Sequence, residues 1–162
     1  MKTGDVYFLL GNGLIERVTF SKIRHVGIAY DDKTVFETDL WQRRAGFHSV
    51  KKYDGKKIEI WSVKALDPMK VRRLCEKYDK SPYSMLDIIN NFWTAPFHPE
   101  IRKKIVGWLG NQKFMICSEI TARIIFESTG LECLKGWESL EPVDLRNIFI
   151  ENPEAFKRES DN

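Results

Sequence analysis

The spacing of the apolar residues changes once along this chain, and that single change limits what it can fold into. Up to Val63 the apolar residues come in short runs or in alternation, as strands require. Val6-Tyr7-Phe8-Leu9-Leu10 is one such run, stopped by Gly11-Asn12-Gly13. Leu14 to Phe20 reads as a second strand. His25 to Tyr30 and Val35 to Asp39 flank the turn-forming Asp31-Asp32-Lys33-Thr34, which predicts a β-hairpin. Lys57 to Val63 alternates and gives another strand. Beyond Val63 the spacing turns helical. Asp67-Pro68 supplies an N-cap and a first-turn proline, and Val71, Leu74, Cys75 and Tyr78 then share one face. Further helices are expected from about Ser84 to Phe92, from about Pro99 to Leu109, from about Cys117 to Ser128 with Gly130 beyond it, and briefly after Pro142. Strands followed by helices, without βαβ alternation, indicate an α+β fold with an antiparallel sheet packed against helices.

With 162 residues the chain suits a single domain, expected over 1–150. The polar stretch 151–162 is expected to fray. The net charge of +3 is too small to argue for nucleic acid as a partner. Two basic runs, Lys51-Lys52 with Lys56-Lys57 and Arg102-Lys103-Lys104, read as solvated faces. No apolar run reaches the ~20 residues that span a bilayer, and the first residues do not form a signal peptide. Three widely spaced cysteines, at 75, 117 and 133, suggest reduced thiols and a cytoplasmic setting. The sequence sets no oligomeric state.

Cys117 falls in the first turn of a predicted helix. Unpaired N–H groups and the helix dipole there favour a thiolate and would hold a developing oxyanion. The plain alternative is that Cys117 packs with Ile120, Ile124 and Ile125 on one apolar face. Cys75 sits mid-helix, where nothing activates it, and reads as core. Cys133 has no evident role. His25 opens a strand on which its face-mates are Gly27 and Ala29, leaving room for another element to approach closely, as a base must approach a nucleophile. A lone strand histidine is also commonly structural. His48, in a loop-like stretch, and His98, before a helix, read as surface or capping residues.

Gly4-Asp5, His25-Val26-Gly27-Ile28, Val35-Phe36-Glu37, Ser81-Pro82-Tyr83, Cys117-Ser118-Glu119 and Glu141-Pro142-Val143-Asp144-Leu145 occur in that order. In this the chain, over roughly residues 4 to 146, resembles the permuted NlpC-type, YiiX-like branch of the papain-like cysteine hydrolases, where the histidine strand precedes the cysteine helix. The resemblance implies a papain-like fold, Cys117 as nucleophile, His25 as base, Glu37 as the group orienting the imidazole, and Tyr83 as a substrate-side tyrosine. The implied substrate is a peptide, amide or other acyl compound, with no cofactor. The helix begins Cys-Ser-Glu, not Asp-Cys-Ser-Gly, so cell-wall peptide cleavage is not implied.

The hairpin register decides whether Glu37 can serve. Pairing Tyr30 with Val35 would put Thr38 on the His25 face. An odd-numbered loop or a bulge would instead bring Glu37 and Asp39 there. The second register is favoured, because Glu37 buried among Val26 and Ile28 would lack a partner. Two rival functions remain. A metal hydrolase needs three or four convergent ligands, and no Cys-x-x-Cys, His-Glu-x-x-His or close His pair occurs. A catalytically inactive papain-like module for binding or assembly would use the same fold, with its five tryptophans and ten phenylalanines lining a partner groove.

Overall fold

The structure is a computed structural model that describes residues 1–11, 23–39, 42–82 and 116–161. Six strands, β1 (Val6–Leu10), β2 (Ile23–Ala29), β3 (Thr34–Asp39), β4 (Arg44–Ser49), β5 (Ile58–Val63) and β6 (Phe156–Asp161), form one sheet in the order β4-β3-β2-β1-β5-β6. Every neighbouring pair is antiparallel. Among the described residues there are three α-helices, α1 (Pro68–Tyr78), α2 (Cys117–Thr129) and α3 (Pro142–Glu151). The architecture is therefore α+β, as the change of period requires. The strand expected at 14–20, the helices expected at 84–92 and 99–109, and Tyr83 lie outside the described residues.

Directly paired residues share a face of a sheet, and the register sorts this one into two unlike faces. Val6, Phe8, Val26, Ile28, Phe36 and Trp61 point to the helices and form the main core with Ile120, Ile124, Ile125, Leu145 and Phe149. Each such side chain, fully buried, contributes about 1.5–3 kcal/mol. On the opposite face Tyr7, Val35, Ile58 and Ile60 pack with Tyr53 from a 3-10 turn, Val50–Tyr53. That second face carries His25 and Glu37.

The helices follow their sequence signals closely. In α1, Asp67 caps the Met69 N–H at 2.9 Å, and Val71, Leu74, Cys75 and Tyr78 are its buried residues. Helix α2 stops at Gly130, whose φ of 73° lies in the left-handed region that glycine enters without strain. Two expectations fail. Residues 45–48, read as loop-like, lie within β4, which pairs with β3. The tail expected to fray carries β6, paired along β5. Its anchor is Phe156, 1% exposed and stacked on Phe149 with ring centroids 3.9 Å apart. The residues after it are polar because an edge strand meets water, so they hid the strand from a hydrophobicity reading.

Candidate active site

The Tyr30 N–H bonds the Thr34 carbonyl at 2.9 Å, which leaves three residues, Asp31 to Lys33, at the turn, with Asp31 Oδ1 accepting from the N–H groups of Lys33 and Thr34 at 2.9 and 2.7 Å. Ala29 therefore pairs with Val35 and Ile28 with Phe36. This is the odd-loop register, and it turns Glu37 and Asp39 to the side of His25. His25 Nε2 lies 2.9 Å from Glu37 Oε2. Gly27, between His25 and Ala29, is where the close approach occurs, but the approaching group comes from the sheet itself. A Cβ on Gly27 would lie 2.5 Å from the hydroxyl of Tyr7, its partner on β1. That hydroxyl reaches across the glycine to donate to Glu37.

Beyond Gly27 the two strands part. Ala29 N–H bonds the carbonyl of Asp5, the residue before β1, so by alternation the Val26 N–H points toward β3. Continued pairing would direct it to Thr38, yet the recorded β2–β3 register ends at Ile28–Phe36. Val26 donates to the Cys117 thiol instead. Helix α2, packed on both β2 and β3, thus sets its first residue against the parting strands. The nucleophile candidate rests on the backbone of the residue that follows the candidate base. The N-cap position is Ile116, which has no side-chain acceptor. Its own N–H is taken by Glu119 Oε2 at 2.9 Å, so only half of a capping box is present.

Glu37 is fully buried and is the hub of the site. Its Oε2 accepts from Tyr7, Tyr53 and His25, and its Oε1 accepts from Lys52 Nζ at 2.7 Å. Lys52 also reaches Asp39 Oδ2 at 3.2 Å. His48 Nε2 stands 4.0 Å from both of those carboxylates. Two expectations are corrected here. His48 is a strand residue, with its side chain only 11% exposed and turned into the site. Lys52 lies in the basic run, which is exposed as expected, yet it is not merely solvated, because two carboxylates hold its ammonium. Tyr7, Tyr53, Lys52 and His48 were all missed in the sequence. Only Tyr7 left a signal, an aromatic residue with a glycine to fall opposite. Glu37, Asp39 and His48 bring atoms within 4.8 Å of one another, an arrangement that suits a cation. The cation there is the Lys52 ammonium.

Burial first, and the nearby Lys52 charge with it, lower the His25 pKa from its ordinary 6.5 to about 3. Burial pushes the Cys117 thiol up to about 12, against the Val26 and Ser118 N–H groups, which favour the thiolate. At neutral pH the two groups therefore rest as thiol and neutral imidazole. With Nε2 on Glu37, the free ring nitrogen of His25 is Nδ1. Partial burial works to lower the Lys52 pKa, but the hydrogen bonds that Lys52 donates to Glu37 and Asp39, with their charges, raise it. Cys75 is buried in the core with its thiol raised to about 12 by burial, and all three cysteines are free.

No family model matches the chain, and a search of curated proteins finds no match either. Among the described residues no helix is long and apolar enough to cross a membrane.

Proposed function

We propose that the chain is a cysteine hydrolase of the permuted papain-like type, cleaving an amide, peptide or related acyl bond. The observation that carries the reading is the His25–Glu37 contact of 2.9 Å, with the Cys117 thiol taking the N–H of Val26, the residue next to His25 in the chain. In the proposed reaction His25 Nδ1 accepts the Cys117 proton as sulfur bonds to the acyl carbon. The N–H groups of the first turn of α2 receive the oxyanion. The imidazolium, stabilised by Glu37, returns the proton to the leaving group as its bond to the acyl carbon breaks. Water, deprotonated by His25, then cleaves the thioester and regenerates the thiol.

The test is competitive alkylation with iodoacetamide at neutral pH, followed by hydrolysis of amide, thioester and ester substrates. Cys117 should react at least tenfold faster than Cys133, although it is the more buried of the two. Equal or slower reaction, with no turnover of any substrate, ends the reading. The alternative is a catalytically inactive papain-like binding or assembly module. What favours it is that burial leaves both groups uncharged at rest.

A further inference from the structure

We propose that Lys52 is a positioning residue of this site: by bridging Glu37 and Asp39 it supplies the positive charge that Glu37 needs, so that His25 is left uncharged as a base. The inference rests on the hydrolase reading for its meaning, and on geometry for its support.

A carboxylate with no exposure to solvent is costly unless a cation compensates it. The molecule holds a second fully buried glutamate for comparison. Glu59 accepts from Trp61 Nε1 at 2.7 Å and from Arg146 Nε at 2.9 Å, with Arg158 3.6 Å away. Arginine stays charged at any relevant pH, and nothing at Glu59 has to change its protonation. Glu37 has the same need and a different set of neighbours. Tyr7 and Tyr53 donate hydrogen bonds but carry no positive charge. Two groups in hydrogen-bond contact with it can be cationic, His25 and Lys52. If Lys52 carries the charge, His25 donates its Nε2 proton as a neutral ring and keeps Nδ1 open to receive another. If Lys52 is removed, the charge requirement falls on His25, which then becomes protonated at higher pH and stops acting as an acceptor. Lys52 thereby sets the acidic limit of the site.

Every element packed around the site contributes a titratable or charged group. Tyr7 comes from β1, His25 from β2, Glu37 and Asp39 from β3, and His48 from β4, where Arg44 pairs opposite Asp39. The 3-10 turn gives Lys52 and Tyr53, Lys56 stands 5.3 Å from the Tyr53 ring, and α2 gives Cys117. Among these, Lys56 and His48 act on His25 in the same sense as Lys52 but rank below it, while Asp39 opposes them. Lys56 lies over the Tyr53 ring, and His48 is 4.0 Å from Glu37. Neither can replace the 2.7 Å contact of Lys52.

The experiment measures two things on the full chain, wild type and Lys52→Met, Lys52→Gln and Lys52→Arg. One is the nitrogen chemical shifts of the His25 ring against pH, which report tautomer and titration midpoint without any substrate. The other is the rate of Cys117 alkylation by iodoacetamide against pH. Wild type should show the Nε2–H tautomer. In Lys52→Met the midpoint should rise by about one pH unit or more, and the acidic limb of the alkylation profile should rise with it. Lys52→Gln keeps a donor but no charge and should behave like Lys52→Met. It also serves if the methionine variant fails to fold. Lys52→Arg should restore the wild-type midpoint. An unmoved midpoint in a folded Lys52→Met or Lys52→Gln overturns the proposal. If wild-type Cys117 proves unreactive at every pH, the hydrolase reading fails, and the His25 titration still decides for or against Lys52.

Discussion

At the scale of single residues, nucleophile and base are expected to act as a unit. Cys117→Ala and His25→Ala should each remove nearly as much hydrolysis as the double variant, because neither group works without the other. Cys117→Ala should cost no more than about 1–2 kcal/mol in thermal or chemical melting, mostly because the Val26 N–H loses its acceptor. Full turnover by Cys117→Ala on a verified substrate would refute the assignment. A second expectation concerns acid. The folded pKa of His25 lies below its ordinary 6.5, so between those values the unfolded chain binds more protons. Its contribution to stability is complete above pH 6.5 and shrinks as pH falls toward about 3. His25→Gln should flatten this part of a plot of Tm against pH. Cys117 and His25 have local marks in the sequence, a helix start and a Gly/Ala strand face, whereas Glu37 entered through the family resemblance and needed the hairpin register to reach the His25 face. Lys52, Tyr53 and His48 were not legible, because their roles exist only where separate strands and a turn meet Glu37.

At the scale of elements, local chemistry explains what could be read. The start and the buried face of helix α1 were legible because cap, proline and apolar stripe all lie within its own sequence. Strand β4 was not, since its side chains alternate around Gly46 and its partner is needed to recognise it. The turn after β5 gives a local test. Ala65 has a φ of 57°, a conformation that strains any residue with a Cβ. Ala65→Gly should therefore stabilise the protein by up to about 1 kcal/mol, since relief of strain exceeds the added chain entropy. A destabilised variant in urea melts would contradict that account. Between α1 and α2 a polar clip does similar work in the tertiary structure. Burial alone would raise the Glu127 pKa, but Tyr78, Arg123 and Lys77 donate to it and hold it at about 2. The stability it contributes is present above pH 4.5 and lost as pH falls toward about 2, a window that overlaps the lower part of that of His25 and extends below it. Glu127→Gln should remove that lower component and leave the upper one.

At the scale of the whole molecule, the last described strand ties the sheet to the helices. Phe156 bridges β6 to Phe149 on α3, which in turn meets Phe8 and Trp61 at 5.6 and 5.8 Å between ring centroids. Phe156→Ala should cost about 3–5 kcal/mol, read as a fall in urea midpoint with the slope unchanged. A loss under 1 kcal/mol would mean that β6 adds little to the fold. No reading by composition finds this, because the residues after Phe156 are charged and polar and only the long-range pairing to β5 gives them order. The candidate site depends on the same long-range order, since its side chains come from four strands, a 3-10 turn and a helix. Against this background the burial of Cys75 acquires a use. A reagent can reach that thiol only when the core around α1 opens, so its slow modification counts openings of the native state. Divided by the rate for a free thiol, it gives the fraction of molecules open at any moment. One labelling reaction thus contains both the chemistry of Cys117 and an internal clock for the breathing of the molecule that surrounds it.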